Sequence, residues 1–420
     1  MKMSNEIMMN PKIAQQIKLS DEMKESCKRI KPVDIIVGVL CKDVEPTVLN
    51  VLNVVNEGLY QSFPDSKKAI VVSEGHSTDK TYEVLDLFQP YSTIEKIVTR
   101  DMTTGGKGAG VLTIFEIAHE LDAKCVVLMD GDLLSIKPVW VQTIANPIIY
   151  GRADLTVPYY IRHKYDAVIT NNLVYPFTRA LYGLDIRQPI AGEFALSRNL
   201  YETLRSHPLF PLDFGIDIFI VTVAAAKEMK VKEGLYSLKI HGSTMSYLEP
   251  EKLLIPMFTK VTGMMFELAS YYELYWKSRP HMINKSFYRK SYSKPPVPVK
   301  IDLEKLKYTF LTEYPTKKEA MSKLLPPDLM KDLDASIRAN GVFDSELWSK
   351  TVYNYTAAYK YAKNSTEKTA VLDSLKTLWI GRYISFIEET ENMNINESEA
   401  VLQKQATIFE KNINYLISIY

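Results

Sequence analysis

Apolar positions in the first half of the chain come in two rhythms. Short, nearly unbroken runs appear at VDIIVGVLC (33–41), KKAIVVSEG (67–75), IEKIVTR (94–100) and KCVVLMDGD (124–132). Between them the apolar residues recur at helical spacing, as in Val48, Leu52, Val55 and Leu59. The β-branched runs predict strands buried on both faces, as in a parallel sheet. The intervening stretches, including TDKTYEVLDLFQPY (78–91, with Ser77 or Thr78 as N-cap) and GAGVLTIFEIAHELD (108–122), predict helices. Such β-α-β-α-β-α-β alternation predicts an α/β, doubly wound sheet. In sheets of this kind ligands bind beyond the carboxyl ends of the strands.

The rhythm changes at both ends of this region. Residues 5–30 predict an amphipathic helix that stops before Lys31-Pro32. After about residue 250 the strand signals fade, and LLIPMFTKVTGMMFELASYYELYW (253–276) and DSELWSKTVYNYTAAYKYAKN (344–364) carry helical periodicity. SYSKPPVPVK (291–300) reads as an extended connector. The expected organisation is an N-terminal helix over 1–32, an α/β domain over 33–250 and a helical region over 251–420. The aromatic face with Tyr271, Tyr272, Tyr275 and Trp276 is expected in a core or subunit interface.

Composition narrows the partners. The chain of 420 residues is 46% hydrophobic and 24% charged, with a net charge of +1. No overall basic field recruits nucleic acid or an anionic membrane. The three cysteines, Cys27, Cys41 and Cys125, form no CxxC pair, which argues against a disulfide framework or a zinc site. The polar N-terminal stretch has no apolar core of a signal peptide. No apolar run of about 18 residues suggests a membrane span, and a cytoplasmic location is expected.

Chemistry concentrates where the predicted strands end. The apolar run Val126–Met129 leads straight into Asp130 and Asp132, separated by Gly131. Two carboxylates so placed can share a hard divalent cation, Mg²⁺ or Mn²⁺, that keeps positions open for substrate phosphates. SEGHSTDKT (73–81) offers Glu74, which can accept hydrogen bonds from a ribose or base, although a capped turn with Asp79 at the helix start accounts for it as well. TTGGKGAG (103–110) sets Lys107 among glycines at a helix N-terminus, an arrangement suited to a diphosphate. It lacks the spacing of a Walker loop, and as a dinucleotide fingerprint it reaches Val111 where Gly or Ala belongs.

Four later stretches add candidates. IRQPIAGEFALSR (186–198) places Glu193 after a glycine, and FPLDFGIDIF (210–219) sets Asp213 and Asp217 on one helical face. Asp217 lies inside an apolar run, where a carboxylate needs a partner. LYSLKIHGSTM (235–245) predicts a strand ending in His241, a metal ligand only if a carboxylate joins it. In YYIRHKYDAVITNNLVYPFTRALYG (159–183), Arg162, His163 and Lys164 form a cationic cluster able to hold a small carboxylate or phosphate.

The order GHSTDKT, GGKG, DGD, QPIAGE, DFGID and KIHG, with the segment 159–183, resembles retaining nucleotide-sugar transferases of the GT-A fold that make compatible solutes. These are the glucosylglycerate, glucosyl-3-phosphoglycerate and mannosylglycerate synthases, and the similarity spans roughly residues 33–275. The resemblance implies that Asp132 and His241 ligate the metal. It implies donor-binding roles for Glu74, Lys107 and Asp130, and places Glu193 and Asp217 at the transferred sugar with Lys107 beside the leaving diphosphate. Arg162 and Thr170 would hold the acceptor's carboxylate. A homodimer is also implied.

The expected reaction moves a hexose, glucose in the first instance, from a UDP- or GDP-linked donor to D-glycerate or 3-phosphoglycerate with retention. Two departures from the family pattern bear on this. Leu40 stands where proline is usual, which leaves the donor base open, and Gly242, Ser243 and Thr244 follow His241 without the basic or amide residues suited to a phosphorylated acceptor. The rival expectations are an inverting transferase with Asp217 or Glu193 as base, the same fold acting on another sugar or a lipid, a non-catalytic sugar-nucleotide-binding protein, and a nicotinamide dehydrogenase.

Overall fold

The computed structural model describes residues 13–242, 254–280, 296, 298–338 and 343–420. The chain divides into two compact units, residues 1–161 with 190–244, and residues 162–189 with 245–420.

The first unit is organised on one sheet. Its parallel strands are β1 (Ile35–Cys41), β2 (Lys68–Glu74), β3 (Ile94–Arg100) and β4 (Cys125–Asp130), the four apolar runs of the sequence. Three more follow, β5 (Leu155–Ile161), β6 (Phe194–Ser197) and β7 (Val231–Leu238). The seven lie in the order β3-β2-β1-β4-β6-β5-β7. β6 is antiparallel to both β4 and β5, and β7 runs parallel to β5. The sheet is therefore mixed. The four residues of β6 are too few to announce their direction in the sequence.

Register determines what the carboxyl edge offers. β1 pairs with β4 so that Leu40 lies beside Asp130, and with β2 so that Cys41 lies beside Glu74. β1 and β2 are buried almost throughout, as expected of strands covered on both faces. The helix Lys107–Glu120 runs so close over β1 that a Cβ on Gly38 would stand 2.6 Å from Ile114 Cδ1.

Two local expectations change. The N-terminal helix spans Asp21–Ile30, with a separate turn at Ile13–Gln16, because the Ser20 hydroxyl accepts from Met23 N at 3.2 Å and starts the helix there. Residues 1–12 lie outside the described residues. Ser77 and Thr78 do not cap the helix Thr81–Leu85. Ser77 Oγ accepts from Asp43 N at 2.9 Å, and Thr78 N donates to Asp43 Oδ1 at 2.7 Å. Asp79 accepts from Thr81 N at 2.9 Å instead. Two crossing loops thus satisfy each other's backbone groups.

The second unit is helical. Its helices are Tyr175–Tyr182, Leu254–Tyr271, Glu273–Ser278, Leu303–Leu324, Pro327–Arg338, Ser345–Tyr361, Ser365–Thr390, Ile395–Lys411 and Ile413–Ile419. A π-helical turn, Thr170–Val174, leads into the first, which Gly183 ends at φ +65°. Trp276, Trp348 and Trp379 fill the interior, and Tyr272 joins it while Tyr271 is half exposed. Two guanidiniums are also wholly buried. Arg179 pairs with Glu410 at 3.0 Å and Arg382 with Glu389 at 2.9 Å. Most of the proline-rich stretch 291–300 lies outside the described residues. Among the described residues, no helix is long and apolar enough to cross a membrane.

The start of the helix Lys107–Glu120 is pinned against the segment 211–213. Ala109 N donates to Leu212 O at 3.2 Å, and a Cβ on Gly108 would collide with the Pro211 carbonyl. Gly108→Ala is therefore expected to cost about 1–3 kcal/mol, read as a lowered midpoint in denaturant unfolding.

Candidate active site

The carboxyl edge of the sheet gathers ionic side chains from five segments. Lys107 opens its helix with the ammonium 2.9 Å from Asp130 Oδ1 and 3.3 Å from Asp217 Oδ1, and it donates to Gly192 O at 3.2 Å. A second ammonium lies beside it. Lys239 contacts both oxygens of Glu193, at 2.8 and 2.9 Å, and the Ala191 carbonyl at 2.7 Å. Lys239 also reaches within 4.0 Å of Asp130 Oδ2. Tyr160 donates to Glu193 Oε2 at 2.7 Å. Three carboxylates thus interleave with two ammoniums.

Gly192 lets the groups approach. Its φ is +101°, and a Cβ there would stand 2.7 Å from Asp130 Oδ2 and 3.1 Å from Lys239 Nζ. The glycine thereby turns two successive carbonyls, Ala191 and Gly192, each onto a different lysine.

Burial acts against every charge in the cluster, and proximity decides the outcome. Burial alone would lower Lys107, but Asp130, Asp217 and Glu193 hold its ammonium well above the ordinary lysine value. Burial would raise Asp130, but Lys107 and Lys239 keep its carboxylate below the usual range. Glu193 goes the other way. Its burial outweighs the pull of Lys239 and pushes the carboxyl up to about 7. Burial raises Asp217 as well, partly offset by Lys107. The ionised anchor of the cluster is the Lys107–Asp130 pair.

Asp132 and His241 form a separate pair. Asp132 Oδ2 stands 3.8 Å from His241 Nδ1, with both side chains partly open. Backbone contacts fix the two segments, because Leu133 bridges His241 and Gly242 N donates to Asp132 O at 3.1 Å. Adjacent ligands each about 2.1 Å from one octahedral cation stand about 3.0 Å apart, so the pair at 3.8 Å would close by less than an ångström to share a divalent ion. Among the described residues, no group of three or more His, Cys, Asp and Glu converges as a metal site. The remaining positions suit water and phosphate oxygens. Ser243 and Thr244 lie outside the described residues.

Three other expected residues are held by contacts of their own. Glu74 is fully buried at the end of β2, with Oε1 accepting from Ser77 N and Oε2 3.6 Å from Arg100. It fixes the start of the loop that follows β2. Arg162 and Thr170 belong to the second unit. Arg162 Nε donates to Asp166 at 2.7 Å, and Thr170 is buried in the π-helical turn.

Lys239 and Tyr160 were not read from the sequence. The signal for Lys239 lay in LKIHG, where it precedes His241 by two residues and so shares its side of an extended chain. For Tyr160, one aromatic in LTVPYYI, no signal stood out.

Residues 36–203 match the family model described as Glycosyl transferase family 2. The matched region holds Lys107, Asp130, Asp132 and Glu193. With the strand order above, it identifies the sheet as that of a GT-A fold. No curated protein sequence matches the chain. The chain is similar to a solved structure of glucosyl-3-phosphoglycerate synthase from Mycobacterium tuberculosis in complex with Mn²⁺, UDP and phosphoglyceric acid, at 20% identity over 58% of this chain and 81% of that one, with a TM-score of 0.45. It is similar to a structure of the same enzyme with Mg²⁺ and UDP, at 19% identity over 60% of this chain and 83% of that one, TM-score 0.45. A structure described only as a mycobacterial protein gives 20% identity over 59% of this chain and 77% of that one, TM-score 0.46. Strand order and the family match carry the fold, not these likenesses.

Removing one ion of a buried pair exposes the cost of the other. Lys239→Met is expected to destabilise the protein by about 3 kcal/mol, at the low end for such pairs because Glu193 can take up a proton. The double variant Lys239→Met with Glu193→Gln should recover most of that loss. Denaturant unfolding of the wild type, both single variants and the double checks the cycle.

Proposed function

We propose that this chain is a metal-dependent hexosyltransferase that moves a hexose, glucose first, from a nucleoside diphosphate to the hydroxyl of D-glycerate or 3-phosphoglycerate. One observation carries this reading. The Lys107–Asp130–Asp217 cluster and the Asp132–His241 pair share the carboxyl edge of a GT-A sheet, where ligands of such sheets bind.

Asp132 and His241 would hold Mg²⁺ or Mn²⁺, which neutralises charge on a leaving diphosphate when bound. Lys107, an ammonium in every relevant pH range, adds a fixed positive charge on the same side. Asp130 and Asp217 are carboxylates 25% and 15% exposed, suited to accept hydrogen bonds from ribose or hexose hydroxyls. Glu193 is wholly covered and holds Lys239 and the 191–192 turn. It acts as a positioning residue. Glu74 acts likewise through the loop that it fixes on the donor side. Arg162 and Thr170 are the proposed acceptor-side residues.

Among the described residues, neither Asp217 nor Glu193 at this edge stands ready as a nucleophile. Asp217 is tied to Lys107, and Glu193 to Lys239 and Tyr160. Retention, which the resemblance implies, would then proceed by attack on the face the diphosphate leaves, with the leaving oxygen taking the acceptor's proton. Anomer analysis of the product tests it, and inversion would reject it.

The decisive assay crosses UDP- and GDP-hexoses with D-glycerate and 3-phosphoglycerate, reading nucleoside diphosphate release and product mass. Metal-dependent release with at least one of these acceptors is expected, abolished by EDTA. Asp132→Asn and His241→Ala should each lower kcat/KM by at least about a hundredfold, with unfolding midpoints near wild type. Release no faster than donor hydrolysis with every pair would sink the acceptor assignment.

A further inference from the structure

The glycine loop that opens the helix Lys107–Glu120 is approached by protein. A Cβ on Gly105 would stand 2.8 Å from the Leu212 carbonyl oxygen and 3.0 Å from Leu212 Cβ, and one on Gly108 would collide with the Pro211 carbonyl. Ala109, the third residue of the helix, donates its amide to Leu212 O at 3.2 Å. Two carbonyl oxygens therefore stand at a helix start that would otherwise draw an anion. A diphosphate gains nothing from a helix end faced by carbonyls. Gly106 differs from its neighbours. Its φ of 177° is extended backbone that any residue adopts, and a Cβ there would meet Leu212 O and Asp213 Cα at an ordinary 3.4 Å.

The segment seated on the glycines leads straight to Asp217. Asp213 Oδ1 accepts from Gly215 N at 2.9 Å, and Asp213 O accepts from Ile216 N at 3.2 Å, which starts the helix Ile216–Ala226. In the first turn of that helix Asp217 Oδ1 returns to Lys107, at 3.3 Å, the residue between Gly106 and Gly108. Of the two partners, the helix Lys107–Glu120 is the fixed one, buried from Gly108 to Ala118 with Ile114 pressed on Gly38. Pro211, Leu212 and Asp213 are partly exposed, so a side chain added at 105 or 108 moves them and carries Asp217 along.

We infer that the glycine loop serves the hexose side of the site and not the diphosphate, and that Gly105 and Gly108 are positioning residues that seat the segment 211–213 and so aim Asp217. The phosphates fall to the divalent ion and the Lys107 ammonium. The inference rests on the proposed function for Asp217 as a hexose contact.

The test is calorimetry on the full chain with Mn²⁺, using UDP, GDP and their glucose conjugates as probes. For whichever base the wild type binds, Gly105→Ala is expected to leave nucleoside diphosphate affinity within about threefold and to weaken the glucose conjugate by at least about tenfold. Asp217→Asn should do the same, and the double variant should lose no more than Asp217→Asn alone, a result that general loosening of the fold would not give. Gly106→Ala should match wild type with every probe. A tenfold loss of nucleoside diphosphate affinity in Gly106→Ala would show a phosphate cradle and overturn the inference, whether or not Gly105→Ala folds. Equal weakening of both probes in Gly105→Ala, no weakening of either, or additive losses in the double variant also overturn it. Those outcomes leave the transferase standing. A wild type that binds neither nucleoside diphosphate nor conjugate removes the proposed function, and the inference with it.

Discussion

The contact between the Lys107 ammonium and the Asp130 carboxylate organises the candidate site. Each group is costly to bury alone, and each holds the other in its charged form. The pair sets Asp130 at the carboxyl end of β4, draws Asp217 in from the segment after residue 211, and turns the Gly192 carbonyl inward. A diphosphate sugar demands this kind of edge, with positive charge for the phosphates and acceptors for hydroxyls, placed before the ligand arrives. A sheet with the same strands but an uncharged residue at 107 would leave two carboxylates facing each other.

Much of this edge was legible in the sequence because its residues break a local pattern. Asp130 and Asp132 end an apolar run, Asp217 interrupts one, and Lys107 stands among glycines at a helix start. Such departures from the binary pattern carry information, since a buried strand has no packing reason to end in carboxylates. Lys239 carried less. A single lysine near a strand end is ordinary, and only its spacing from His241 hinted at a shared side. Glu193 was read as a sugar contact, whereas the fold covers it completely and gives it a lysine to hold.

The fold was legible to a similar depth. The four parallel strands follow from hydrophobic periodicity, which is a local property. The antiparallel β6 does not, because strand direction depends on which distant edge is free when the segment arrives. The attachment of residues 162–189 to the helical unit is hidden for the same reason. Its helical residues look like any βα connection, yet Arg179 and Arg187 find their carboxylates at Glu410 and Glu399, over two hundred residues later in the chain. Long-range pairing of this kind leaves no trace in spacing.

The turn at 191–193 and the end of β7 meet through Glu193 and Lys239, although β5 lies between β6 and β7 in the sheet. The ion pair therefore ties two strands that share no backbone ladder. A chain in which β7 has not yet joined would carry Glu193 without its ammonium and the turn without the lysine that collects its Ala191 carbonyl. The charge pattern of the edge thus becomes complete only when the last strand arrives. During synthesis, a ribosome-bound chain lacking β7 would present an acidic, unfinished edge, and readiness to bind an anionic ligand would coincide with closure of the sheet.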